Sequence, residues 1–208
     1  DEALQAAYKG VRALAEFTKP AGAGPWELAN SQPDMLAVVL GTKAALDLYD
    51  YTGDEEILNI AVRIATQGLP FIYFREVPRT VQSLYTTIAS FGSTNWHRPW
   101  QGSPVQWQGM FLSDMYKRLD EYDDTLDWGK IGQGMANAGI NLVNNERWPG
   151  RFPDYLDLFK SDPTIYNIWS ELVAASVYES LGYMNSWDQK ETEDFIVISG
   201  YEITEIEQ

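Results

Sequence analysis

The chain has no cysteine. That excludes disulfides, a thiolate nucleophile and any cysteine-ligated metal. It has one histidine, His97, which argues against a histidine-built metal centre as well. No cofactor is expected. Basic residues are scarce: 15 Lys and Arg stand against 30 Asp and Glu, for a net charge of −15. Nucleic acid requires a basic footprint and is excluded as a partner, and the same charge argues against an anionic membrane surface. No apolar run is long enough to span a membrane. No signal peptide is seen, and the chain opens on Asp1 rather than Met, which reads as a processed or excised piece of something longer.

The 208 residues, 45% of them apolar, are enough to build a sizeable core, as one domain or as one large domain plus a fragment. Hydrophobic periodicity predicts helices at about 2–18, 34–51, 54–68, 80–91, 104–121, 128–145 and 164–181. Residues 34–51 and 164–181 are apolar almost all round, as in helices buried on most sides. Residues 54–68 and 128–145 are amphipathic, with Ile57, Leu58, Ile60, Ala61 and Ile64 on one face and Asp54, Glu55, Asn59 and Arg63 on the other. Helix 104–121 lies between the two kinds. Short acidic turns at 51–55 and 122–127 join a buried helix to an amphipathic one, and links this short force antiparallel neighbours. At the first turn, Gly53 can end a helix in the left-handed conformation, and Asp54, or Thr52 with Glu55, can start the next.

The remaining connections, 19–33, 69–103 and 146–163, are long, and each runs into proline at a helix start: Pro33, Pro104 and Pro163. Since the hairpins alternate direction, all three long loops are expected at one end. The central one holds Arg75, Trp96, His97, Arg98 and Trp100, then Ser103-Pro104-Val105-Gln106-Trp107, which reads as a capping box opening a helix. The expected assembly has one plain end of acidic turns and one mouth rich in Trp, Arg and carboxylates. Near the C-terminus, residues 195–199 read as a strand and 201–206 as a weaker one. A lone pair of strands is marginal, so it either pairs with a partner or opens a β domain. The domain reading is a helical unit at 1–185 and a β segment at 186–208.

Helical hairpins joined by the turn Leu46-Asp47-Leu48-Tyr49-Asp50-Tyr51-Thr52-Gly53-Asp54-Glu55, together with the Trp26-Glu27-Leu28-Ala29-Asn30 loop and the Asn95-to-Trp107 segment, resemble the (α/α) barrels of six-hairpin glycosidases and related polysaccharide lyases. The resemblance covers about residues 2–182 and is architectural. It implies a mainly α fold, with antiparallel helical hairpins in an incomplete (α/α) toroid followed by a short β segment. A full barrel of this type has twelve helices and this chain supplies six or seven, so the resemblance further implies that the rest of a larger polypeptide or a partner subunit completes it. The implied ligand is an oligosaccharide or polysaccharide. Polymer-degrading enzymes of this architecture are often exported, which points to a secreted or periplasmic location.

Within that mouth, Trp26, Trp96, Trp100, Trp107 and Trp148 are candidates to stack on the apolar face of a pyranose, the alternative being ordinary packing. Glycoside hydrolysis needs two carboxylates. Glu27, beside Trp26, and Asp154, beside Arg151 and Tyr155, form the preferred pair. Asp34 and Asp157 lie at the same rim, and Asp34 reads equally as compensation of a helix dipole. Glu171, inside an apolar helix, needs a partner or a raised pKa, and a salt bridge explains it as well. His97 is the general base of a rival lyase reading, with Asn95 or Arg98 neutralising a uronate carboxylate; a histidine hydrogen-bonded within its loop is the plain alternative. Arg98 and Arg151 can clamp a carboxylate or sulfate, or pair with loop carboxylates. Tyr51, Tyr116, Tyr122 and Tyr178 read as packing residues. Three functions remain open: a glycoside hydrolase, a polysaccharide lyase, and a non-catalytic glycan-binding or scaffold protein.

Overall fold

A computed structural model describes residues 2–19, 21–22, 32–80, 83–88 and 105–142, together with 152–153, 156–157, 162–163, 167–168, 188–191 and 196–199. The described part is mainly helical, with α1 (Glu2–Ala15), α2 (Met35–Thr52), α3 (Glu55–Thr66), α4 (Gln106–Leu119) and α5 (Trp128–Leu142). Short antiparallel pairings join Ala21–Gly22 to Gln32–Pro33, Phe152–Pro153 to Asn167–Ile168, Leu156–Asp157 to Asp162–Pro163, and Asp188–Glu191 to Ile196–Ser199. The helix expected over 164–181 lies largely outside the described residues, and within it Asn167–Ile168 is paired as strand. The strand expected at 201–206 lies outside them.

Local chemistry sets the ends of α2 and α3. Asp34 is extended and its carboxylate accepts from Leu36 N–H, capping α2. Gly53 sits at φ 65°, and its N–H returns to the Tyr49 carbonyl at 2.7 Å. Asp54 follows at once as the N-cap of α3, accepting from Glu56 N–H. The apolar faces of the resulting hairpin then meet. Ile57, Leu58, Ile60, Ala61 and Ile64 of α3 are buried, as are Val38, Val39, Ala45, Leu46 and Leu48 of α2. At roughly 1.5–3 kcal/mol per large aliphatic side chain, this burial outweighs any helix propensity.

Helix α1 presents Leu4, Tyr8, Val11 and Leu14 at helical spacing to the same core. Tyr8 Oη donates to Asp54 and Arg12 pairs with Glu56. Farther along, Arg63 donates to the Ala15 carbonyl and Gln67 to that of Phe17. The pairings advance together along both helices, so α1 and α3 run parallel.

The second hairpin repeats the first. Asp127 caps α5 by accepting from Lys130 N–H, Asp120 accepts from Gly129 N–H, and Trp128 Nε1 donates to Asp123. Helices α4 and α5 lie very close. A Cβ on Gly132 would stand 2.6 Å from the Ser113 carbonyl oxygen, and one on Gly139 would collide with the Met110 side chain. The two hairpins join through α2 and α4. Arg118, at the C-terminal end of α4, donates to Asp47 and Asp50 near the C-terminal end of α2, and Tyr122 Oη also reaches Asp50. Toward the other end, Tyr116 Oη donates to the Ala65 carbonyl of α3. Helices α2 and α4 therefore run parallel, each with its own antiparallel partner.

The segment between α3 and α4 corrects one expectation. A 3-10 turn at Leu69–Phe71 leads into a β-hairpin, not into the helix expected at 80–91. Ile72 bridges Thr87, Tyr73 N–H donates to Thr86 O, Tyr85 N–H to Tyr73 O, and Ile88 N–H to Phe71 O. The β-branched run Thr86-Thr87-Ile88 is buried against the α4–α5 pair, and this packing overrides the helical period.

Candidate functional site

The tight turns at 53–54 and 120–127 lie at one end of the two hairpins. The ends of α1 and α3 and the starts of α2 and α4 lie at the other. Of the residues expected to form the mouth there, Trp107, Arg75, Asp34 and Asp157 are described. Trp107 occupies the first turn of α4, half-buried, with its ring edge-on to Phe111 at 6.2 Å between centroids. Trp26, Glu27, Asn95, Trp96, His97, Arg98, Trp100, Trp148, Arg151, Asp154, Tyr155 and Glu171 lie outside the described residues. Asp34, at 5% exposed, serves as a helix cap. Asp157 belongs to a strand pairing with Asp162. Of the tyrosines, Tyr116 is buried, and burial pushes its phenol above the usual range. Tyr122 is tied to Asp50 and edge-on to Tyr49, whereas Tyr51 is exposed rather than packed. Tyr178 lies outside the described residues.

The start of α4 also differs from the expected capping box. The helix begins at Gln106 with Val105 as its N-cap, and Val105 N–H donates to the Thr87 carbonyl. Ser103 is outside the described residues. Gln106 is 1% exposed, and its carboxamide is fully engaged elsewhere. Oε1 accepts from Thr87 N–H at 3.0 Å, and Nε2 donates to the Met135 carbonyl at 2.9 Å and the Tyr85 carbonyl at 3.4 Å. One side chain thus joins the β-hairpin, α4 and α5. Two positions on, Gln108 is fully buried, and among the described residues neither its Oε1 nor its Nε2 has a partner; the same holds for the Thr42 hydroxyl.

The hairpin that Gln106 fixes is not signalled by helical periodicity, and it carries a dense set of polar contacts. Its tip is knotted around Ser83, which is fully buried. Ser83 Oγ accepts from Val77 N–H at 2.5 Å and donates to Glu76 Oε2 at 2.9 Å. Glu76 also accepts from the backbone N–H groups of Ser83 and Leu84. These backbone bonds, seconded by the Ser83 hydroxyl, hold the Glu76 carboxyl below its usual range. Arg79 and Tyr85 adopt left-handed backbone, at φ 69° and 59°, the positive-φ non-glycine residues of the described chain. Phe74 is 49% exposed and meets Tyr85 edge-on at 6.1 Å. Arg75 and Arg79 are exposed on the same loop. A readable signal was the aromatic and β-branched content of Phe71-Ile72-Tyr73-Phe74 and Tyr85-Thr86-Thr87-Ile88, which favours strand.

The described residues here offer the Trp107 ring at the start of α4, and the Phe74 ring with the Arg75 and Arg79 guanidinium groups on the hairpin between α3 and α4. Among the described residues, no cluster of His, Asp and Glu suited to a metal ion is present, and no helix is long and apolar enough to cross a membrane. No family model, no curated protein and no solved structure matches the chain.

Proposed function

We propose that the chain is a carbohydrate-active protein, part or all of an (α/α) toroid that cleaves a glycosidic bond with paired carboxylates, Glu27 and Asp154. The observation that carries the reading is the parallel run of α2 and α4, each returned by an antiparallel helix through a tight acidic turn. Repetition of that unit builds a ring whose long connections share one rim. Trp107 supports it by offering an aromatic face at that end, of the kind on which a pyranose stacks through its C–H surface. In this reading the C-terminal residues begin a β segment, and further polypeptide completes the ring.

The test is a panel of neutral and acidic oligosaccharides, with products resolved by chromatography and ultraviolet absorbance. Hydrolysis predicts saturated products, with turnover lost in Glu27→Gln or Asp154→Asn and binding retained. A chromophoric unsaturated product that disappears in His97→Ala, with Asn95 and Arg98 as partners, would replace hydrolysis by elimination. Binding without any product would leave a glycan-binding scaffold, and no binding to any glycan would end the carbohydrate reading.

A further inference from the structure

We infer that the 71–88 hairpin is a recognition element for an acidic oligosaccharide, one carrying carboxylate or sulfate groups. The inference rests on the carbohydrate reading above and adds the class of sugar. The chain carries a net charge of −15, and Arg75 and Arg79 place two cations four residues apart on one loop beside an exposed ring. Both are exposed, and among the described residues neither guanidinium makes a hydrogen bond or ion pair. Arg12 and Arg118 are instead paired with carboxylates. The carboxylate nearest in sequence, Glu76, lies between the two arginines and has both oxygens committed to Ser83 and Leu84. That arrangement removes the natural partner and leaves the cations presented outward.

Two further observations fit a ligand clamp rather than a solvated turn. The described residues on either side of the loop tip are tied down, because Ser83 is buried and bonded to Val77 and Glu76 and Gln106 bonds the backbone beneath them. Its positive-φ residues, Arg79 and Tyr85, are costly conformations that persist only where the surroundings impose them, and such residues gather at ligand sites. The exposed Phe74 ring, fixed edge-on by Tyr85, lies next to Arg75 in sequence. The Cα atoms of Arg75 and Arg79 are at most about 14 Å apart along the chain. A ring face beside two bidentate anion donors fits a sugar that carries acidic substituents. Two guanidinium groups are too small a basic footprint for a nucleic acid backbone, whereas they suffice for one or two acidic substituents on a sugar.

Titration calorimetry on the whole chain tests this with four probes of similar length: an oligogalacturonate hexamer, a sulfated glycosaminoglycan hexasaccharide, cellohexaose and a single-stranded hexanucleotide. The expected result is preference for at least one acidic sugar over cellohexaose by about tenfold, weakened by added salt, and loss of that preference in the Arg75→Gln/Arg79→Gln double variant. Circular dichroism of the variant should be unchanged, since both side chains are exposed. Cellohexaose binding equal to or tighter than that of both acidic sugars would overturn the inference and leave the carbohydrate reading standing. Unchanged acidic-sugar binding in the double variant would also overturn it. Equal binding of the hexanucleotide would replace sugar recognition by a general affinity for polyanions. Absence of binding by all three sugars would remove the inference together with the reading on which it rests.

Discussion

Two glutamines two residues apart, on different sides of α4, carry opposite energetic signs. Gln106 satisfies Thr87 N–H and the Met135 carbonyl inside the core, so Gln106→Ala leaves both without a partner and opens a void. The expected cost is about 3 kcal/mol, read as a lowered urea midpoint with little change in slope. Gln108 is buried, and among the described residues its carboxamide is unpaired. Replacing it by Met, of similar length, removes polar atoms that gain nothing from the fold, and stability should hold or rise by about 1 kcal/mol. A large loss in Gln108→Met would mean that this carboxamide has a partner in solution. From sequence the two residues look alike. Gln106 sits where a capping box would need it, and only the β-branched segment brought against it from 86–88 redirects its bonds.

Among the elements, the α4–α5 pair depends on backbone approach. In most helices Gly→Ala is stabilising, by roughly 1 kcal/mol. At Gly132 the added methyl meets a backbone oxygen at 2.6 Å, and that atom cannot swing aside. Gly132→Ala should therefore destabilise by about 1–3 kcal/mol in chemical denaturation, and a stabilised variant would show that the helices lie farther apart. Much of this level was legible in the sequence. The cores of all five helices, the left-handed Gly53, the Asp54 cap and the buried face of α3 follow from local chemistry and a 3.6-residue period. The 80–91 segment did not, because its apolar spacing suits either a helix or a strand and a partner distant in sequence, 71–73, decides between them. The exposed Leu40 and Tyr51 of α2 were equally hidden, since an apolar helix does not say which of its sides has neighbours.

For the molecule as a whole, the junction between hairpins is electrostatic on its outer side. Burial raises the Asp47 pKa, but its bonds to Lys43 and Arg118 outweigh that, and the group lies below its ordinary value of 3.8. A depressed carboxylate stabilises the fold fully above its unfolded pKa and loses that contribution as pH falls through the folded one. Wild type should therefore melt above Asp47→Asn near neutrality, with the two curves converging below pH 3.8. The difference is expected to be small, because Asp47 is about half exposed and solvent screens the pair. A gap that widens in acid would contradict the sign. The candidate site was less legible than the fold. Trp107 was placed correctly on a helix start, but Phe74, Arg79 and Tyr85 gain their meaning from a hairpin and a backbone geometry that carry no short-range motif.

Helix α5 spends four of its fifteen residues on glycine, and the resulting closeness to α4 has a price in time as well as in space. Such a segment has little tendency to wind up alone. Its helical shape is therefore expected to depend on docking, so that undocking and unwinding would coincide. The second hairpin then opens as one cooperative unit, exposing the inner side of α4 and releasing the strands tied to Gln106. The arginine-bearing loop would inherit that rhythm, and its readiness to hold a ligand would be set by how often a glycine-rich helix lets go.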